Sequence, residues 1–339
     1  MDRLGRRSFL GGSAALLAGA WGGRLSAEPG FARQASGPLS RIIHSGHSLT
    51  DAYIHTGPWP GTFRHLARSM GINNAAANHV SSTIPGSPMH WRWNHPINDS
   101  RPGAPSADAQ LHIGDFDTLV ITEGSPPARA DDLDGMANTL EYLGRFASNA
   151  IENGNGGQGA TDIILWSNWP AIDMWRAEPR GGWDDLPDLG AALHEVGRSY
   201  KLMADYTGWH MRQRHAHLPP DWRVWIIPGH LFMARVWQDA PHGLVPGITR
   251  IEDLFGDDIH PTDLASYGLA CLVLTCLYQM DLRSRPRVHV AEGISPEQAA
   301  YFHDIAWQIA TSYEPAGMGG TEGAAAEFDP ARDRDPLAG

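Results

Sequence analysis

Two short segments, far apart in the chain, hold residue types that together could carry acyl-transfer chemistry. The first is Gly46-His47-Ser48-Leu49, which ends the apolar run Arg41-Ile42-Ile43-His44-Ser45. Gly46 permits a sharp turn where a strand ends. A serine two residues on can present its hydroxyl at that edge, with its own N–H facing a developing oxyanion. The second is Phe255-Gly256-Asp257-Asp258-Ile259-His260-Pro261-Thr262, just ahead of an apolar helix. Asp257 and His260 are three apart on a loop, so the carboxylate can reach the near imidazole nitrogen. It would fix the tautomer and stabilise the imidazolium formed when the far nitrogen takes a proton from serine. Each motif alone is also a turn or cap: Gly-x-Ser after a strand serves equally as a helix N-cap, and Asp-x-x-His as a loop ion pair.

A fold that unites these motifs must be built from the remaining elements. The 339 residues contain 42% hydrophobic and 19% charged side chains, which suits a globular chain with a sizeable core. Short apolar runs alternate with helical stretches. Strands are expected at 41–45, near 75–81, and at 117–122, 161–167 and 223–227, with helices near 60–70, 131–153, 193–215, 262–280 and 296–313. That rhythm predicts a mostly parallel five-stranded sheet with helices on both faces, a three-layer α/β/α sandwich. Open sheets of this kind bind ligands at the carboxyl ends of their strands, where both motifs fall. Segments 84–115 and 170–192, rich in Pro, Gly and Trp, read as insertions beside that crevice. Residues 28–39 read as a linker, 40–315 as the domain, and 316–339 as a disordered tail. Cys271 and Cys276 read as buried small hydrophobes and not as a disulfide.

The order Gly46-His47-Ser48-Leu49 at the end of the first strand, then Asp257-x-x-His260-Pro261 before the last long helix of the sheet domain, resembles the SGNH (GDSL-like) hydrolase superfamily. The resemblance spans roughly residues 40–280 and implies the flavodoxin-like sandwich of that family. It also implies ester hydrolysis by Ser48 as nucleophile, His260 as general base and Asp257 as its orienting partner. The family's oxyanion hole adds a glycine N–H after the second strand and an asparagine after the third. Gly86 fits the first position. The third block departs from the pattern: it reads Leu119-Val120-Ile121-Thr122-Glu123-Gly124-Ser125-Pro126, without an asparagine. It is similar to a branch with a polar pair here. An ionised Glu123 cannot donate a hydrogen bond, so three solutions stand open: a protonated Glu123, a donor in the Gly124 N–H, or another role for Glu123. His47, beside the serine, reads either as a polar contact in the crevice or as a histidine packed under the loop. Asn168, ending the fourth strand, reads as a substrate donor or a turn-capping residue.

Composition bears on substrate, cofactor and destination. The formal net charge of −12 argues against a nucleic-acid partner. Among 13 tryptophans, Trp59, Trp91, Trp93, Trp169 and Trp175 fall in or near the crevice loops. Their faces suit stacking on sugar rings, so an O-acylated, chiefly O-acetylated, glycan is the expected substrate, with filling of the loop cores as the alternative. A non-catalytic glycan-binding protein and a polysaccharide O-acetyltransferase are the rival readings. No cofactor is expected, and no metal: the densest of 17 histidines, His210, His215 and His217, have no metal-site spacing. Arg6-Arg7-Ser8-Phe9-Leu10, an apolar stretch over 11–23 and the small-residue site Leu25-Ser26-Ala27 read as a twin-arginine signal over 1–27. The expected location is periplasmic or secreted. That apolar stretch is too short for a stable membrane span, and none is expected in the mature chain.

Overall fold

The computed structural model describes residues 31–54, 62–97, 107–157, 161–172, 186–285 and 288–338. The twin-arginine segment, Trp59 and Trp175 lie outside these residues. The sheet has five strands: β1 (Ile42–Gly46), β2 (His79–Thr83), β3 (Thr118–Ile121), β4 (Asp162–Ser167) and β5 (Trp225–Pro228). Their order is β2-β1-β3-β4-β5 and every neighbouring pair is parallel. Ile42 stands in register with His79 on one side and Thr118 on the other. Strands β1 and β3 are buried along their whole length, as expected where helices cover both faces of a parallel sheet.

Helices α1 (Ser48–Ile54), α2 (Thr62–Ser69), α8 (Asp263–Tyr278) and α9 (Pro296–Ser312) pack together, while α5 (Leu133–Gly157) packs on α6 (Leu189–Arg214). Right-handed crossovers on a sheet of this order put the two groups on opposite faces. Helix α7 (Gly229–Asp239) follows β5 and packs on α6. Helix α8 is buried on all sides from Ala265 to Tyr278, which is why it shows no amphipathic stripe. Its Cys271 and Cys276 are buried free thiols. Direction of strand order reverses at β1, between its crossovers to β2 and to β3, and the chain leaves β1 there into Ser48.

Several elements differ from the sequence reading. Residues 75–78 form a short helix, α3 (Ala75–Asn78), and the second strand begins at His79. A helix, α1, starts at Ser48 itself, and α4 (Met89–Asn94) occupies part of the first insertion. Short helices bury few residues and leave no readable period. The expected linker is anchored: the buried Arg33 guanidinium donates to the Cys276 and Leu277 carbonyls, and the Ser36 N–H to Leu277 O at 2.9 Å. A cation there complements the carboxyl end of the α8 dipole. The expected disordered tail is likewise packed. Met318 and Phe328 are buried, Phe328 stands edge-on to Tyr206, and Asp335 accepts from the Tyr206 hydroxyl at 2.7 Å. Two isolated apolar anchors among polar and small residues carry no periodic signal, yet each buries a large side chain.

Candidate active site at the carboxyl edge of the sheet

Ser48 opens α1 directly after β1. Its N–H therefore belongs to the first helical turn, whose donors have no intrahelical acceptor. Gly46 makes this start possible for a steric reason: a side chain there would run into the Thr50 side chain and approach Thr122 Cγ2 to 3.2 Å. The β2 loop is tied to the same edge by the Ile84 N–H, which donates to Gly46 O at 3.1 Å. Gly86 then takes a left-handed conformation, φ 67°, in the turn closed by the Ser87 N–H on Ile84 O. That conformation favours glycine.

The His260 loop arrives from the far end of the chain. Phe255 and Pro261 form an antiparallel bridge, and the Thr262 N–H closes onto Leu254 O at 2.8 Å. Two contacts from beyond β4 hold the loop: Trp169 Nε1 donates to Ile259 O at 2.9 Å, and the Ile172 N–H to Asp258 O at 2.7 Å. Held this way, His260 Nε2 lies 2.8 Å from Ser48 Oγ, and His260 Nδ1 lies 2.7 Å from Asp257 Oδ2. Asp257 Oδ1 accepts the N–H groups of His260 and Ile259 at 2.6 and 2.9 Å. Those backbone bonds, of His260 first and Ile259 next, then the imidazole, pull the Asp257 carboxyl down to about 2. An Asp257 ionised at neutral pH assigns the proton on His260 to Nδ1 and leaves Nε2 to accept from the Ser48 hydroxyl. The His260 and Asp257 side chains are 46% and 53% exposed, so the arrangement opens to solvent.

The other residues expected at the site lie beneath this surface. Glu123 is buried, and its Oε1 accepts the N–H of Met89, first residue of α4, at 3.1 Å and that of Gly124 at 2.6 Å. The Gly124 N–H, one of the three open solutions for the missing donor, is thus engaged by Glu123. Asn168 is fully buried and donates to Glu123 O at 2.9 Å, while its Oδ1 has no protein partner. It braces the third-block loop and does not face the crevice. His47 packs under the loop that carries Ser48, with Nε2 donating to Glu123 O at 2.9 Å and Nδ1 accepting the Leu49 N–H at 3.3 Å. Burial, with Arg92 nearby, lowers its pKa to about 4, so it is neutral at ordinary pH.

Arg92 was not singled out by the sequence reading. It is buried on α4, donating from Nε to Ser45 Oγ at 3.2 Å, from Nη1 to Ser87 O and from Nη2 to Thr122 O. Burial lowers its pKa to about 10, against the opposing pull of Glu123, so it keeps its charge at neutral pH. The one available signal was a lone cation between Trp91 and Trp93. Those tryptophans have unlike roles: Trp93 packs edge-on to Phe146, whereas Trp91 is 47% exposed and stacks on His95 with centroids 3.8 Å apart. Trp169, also expected to meet sugar, is buried against Trp166 and Phe255. His210 stacks on Tyr206, His215 stands edge-on to His217, and among the described residues no group of three or more His, Cys, Asp or Glu converges as a metal site would.

A parallel sheet of order 2-1-3-4-5 with a Ser–His–Asp chain of contacts at its carboxyl edge defines the class of structure at hand. Among solved structures, the chain is similar to a DUF4886 family protein from Bacteroides uniformis, with 14% identity over 84% of this chain and 97% of that one, TM-score 0.55. This likeness establishes a shared fold. Weaker similarities are to a lipase/acylhydrolase from Enterococcus faecalis (17% identity, 74% of this chain and 100% of that one, TM-score 0.38) and to an aryl esterase from M. smegmatis (15% identity, 69% and 96%, TM-score 0.35). No known family profile matches the sequence, and neither does any curated protein.

Proposed function

We propose that this chain is an ester hydrolase of the SGNH type, with Ser48 as nucleophile, His260 as general base and Asp257 as the group that orients His260. The observation that carries this reading is the continuous contact from Ser48 Oγ through His260 to Asp257, at 2.8 and 2.7 Å, where the chain leaves β1. Ser48 Oγ attacks the ester carbonyl carbon as its proton passes to His260 Nε2. The tetrahedral oxyanion faces the Ser48 N–H and the Gly86 turn. It collapses with cleavage of the carbonyl–oxygen bond, and the leaving alcohol takes the proton from His260. Water, deprotonated by the same imidazole, then releases the acid and restores Ser48.

The substrate proposed is an O-acyl, chiefly O-acetyl, ester of a carbohydrate. Exposed Trp91 on α4 supports it, since the indole face that His95 leaves uncovered suits a sugar ring. Export through the twin-arginine route is proposed on Arg6-Arg7 and the segment after them. Among the described residues no helix is long and apolar enough to cross a membrane. Glu123 acts here as an acceptor for the start of α4.

The test is hydrolysis of a small aryl acetate by purified protein and by Ser48→Ala. Loss of at least about 10³-fold in the variant, with an unchanged melting temperature, is the expected outcome. Equal turnover by both proteins would end the proposal. Acyl transfer to a sugar hydroxyl in preference to water would move it to the transferase reading.

A further inference from the structure

We propose that Arg92 is the positioning residue that completes the anion-stabilising edge of this site, locking its loops and holding a fixed positive charge beneath them. The inference rests on the esterase reading and deepens it. The chain lacks the third-block asparagine that its resemblance implies, and the two nearest substitutes are unavailable: the Gly124 N–H is held by Glu123 Oε1, and Asn168 is buried with its amide on Glu123 O. What the structure offers in that region is a guanidinium.

Its three contacts reach strand β1 near its carboxyl end and one residue in each of two edge loops. Nε meets Ser45, just ahead of Gly46-His47-Ser48; Nη1 meets the carbonyl of Ser87, the residue after Gly86; and Nη2 meets the carbonyl of Thr122, the residue before Glu123. The two loops carrying the proposed oxyanion donors, the Ser48 and Gly86 N–H groups, are therefore clamped to one planar fork. A fork of this geometry fixes direction as well as distance, which lysine cannot do. The charge itself is removed from water, so water screens it weakly, and Glu123 offsets only part of its field on the adjacent residues.

Glu123 fits the same scheme. Its Oε1 accepts the Met89 N–H at 3.1 Å and so fixes the start of the helix that presents Arg92 three residues later. The third-block acid thus anchors the helix and balances the buried cation. Arg92 does not touch a substrate; it acts through the backbone donors it aligns and through its field.

The experiment measures kcat and KM on an aryl acetate, and affinity for a boronic acid that forms an anionic tetrahedral adduct on Ser48, for wild type, Arg92→Met and Arg92→Lys. Arg92→Met is expected to lose about 100-fold in kcat and in boronate affinity, with KM within threefold. Arg92→Lys keeps the charge but not the fork, so its kcat should fall measurably below wild type yet stay clearly above that of Arg92→Met. An Arg92→Met enzyme with wild-type kcat or wild-type boronate affinity overturns the proposal, and so do equal losses in both variants, since charge then contributes nothing. If Arg92→Met does not fold, Arg92→Lys decides alone: a modest kcat loss at constant KM supports the proposal, and a change confined to KM overturns it. Ser48→Ala separates the two levels. Turnover surviving in Ser48→Ala removes the esterase reading, whereas turnover lost there but intact in Arg92→Met removes only the role given to Arg92.

Discussion

Three histidines, at positions 47, 79 and 230, are buried where protonation has no room, and this makes acid stability a quantitative test of the structure. His47 lies between Glu123 O and the Leu49 N–H, with Arg92 and His260 nearby. His79 bridges His44 Nε2 at 3.0 Å and the Tyr278 hydroxyl at 2.7 Å. His230 meets Ser167 Oγ at 2.7 Å, with His194 nearby. Burial lowers these pKa values from 6.5 to about 4, 3 and 3 respectively. In the unfolded chain each imidazole takes a proton as pH falls through 6.5, while the folded chain refuses it until pH 4 or lower. Their stabilisation is therefore complete above pH 6.5 and is lost as pH falls toward the folded values. Linkage gives about 2 kcal/mol per histidine between pH 7 and pH 5, or about 6 kcal/mol together. That is a large share of the roughly 5–15 kcal/mol of a typical domain. Asp257, held down to about 2, adds almost no slope in this window because it is ionised in both states. Urea denaturation at pH 7, 6 and 5 reads the loss directly, and His79→Gln should remove about a third of it. An unfolding free energy that changes by less than about 1 kcal/mol between pH 7 and 5 would refute the burial of these rings.

Asp257→Asn should keep the loop bonds to the Ile259 and His260 N–H groups through its amide oxygen, while removing the charge and disturbing the His260 tautomer. A drop in kcat of about 10²–10⁴-fold with little change in melting temperature is expected, measured on an aryl acetate. Phe328→Ala should release the carboxyl-terminal segment from Tyr206 and Trp209 and cost about 3–5 kcal/mol. Thermal melts and limited proteolysis beyond residue 316 check it, with cleavage appearing only in the variant.

The sequence by itself determined the strands and long helices that rest on sustained apolar runs, and it determined where the two chemical motifs sit on them. A five-residue buried strand ending in Gly46, and a polar loop before the uniformly apolar α8, are local patterns that burial imposes directly. It could not say how Glu123 would be used, because a carboxylate's role depends on which donors the fold brings to it; here those are the N–H groups of Met89 and Gly124. Nor could it reveal Arg92, whose three acceptors come from β1 and two separate loops, or the packing of residues 316–338, held by anchors too sparse to form a pattern. The 2.8 Å contact between Ser48 and His260 joins residues 212 apart in the chain, and only tertiary packing sets such a distance. Periodicity encodes which face a residue turns to the core. Convergence of polar groups from distant loops encodes in no period, and depends on how the whole sheet is assembled.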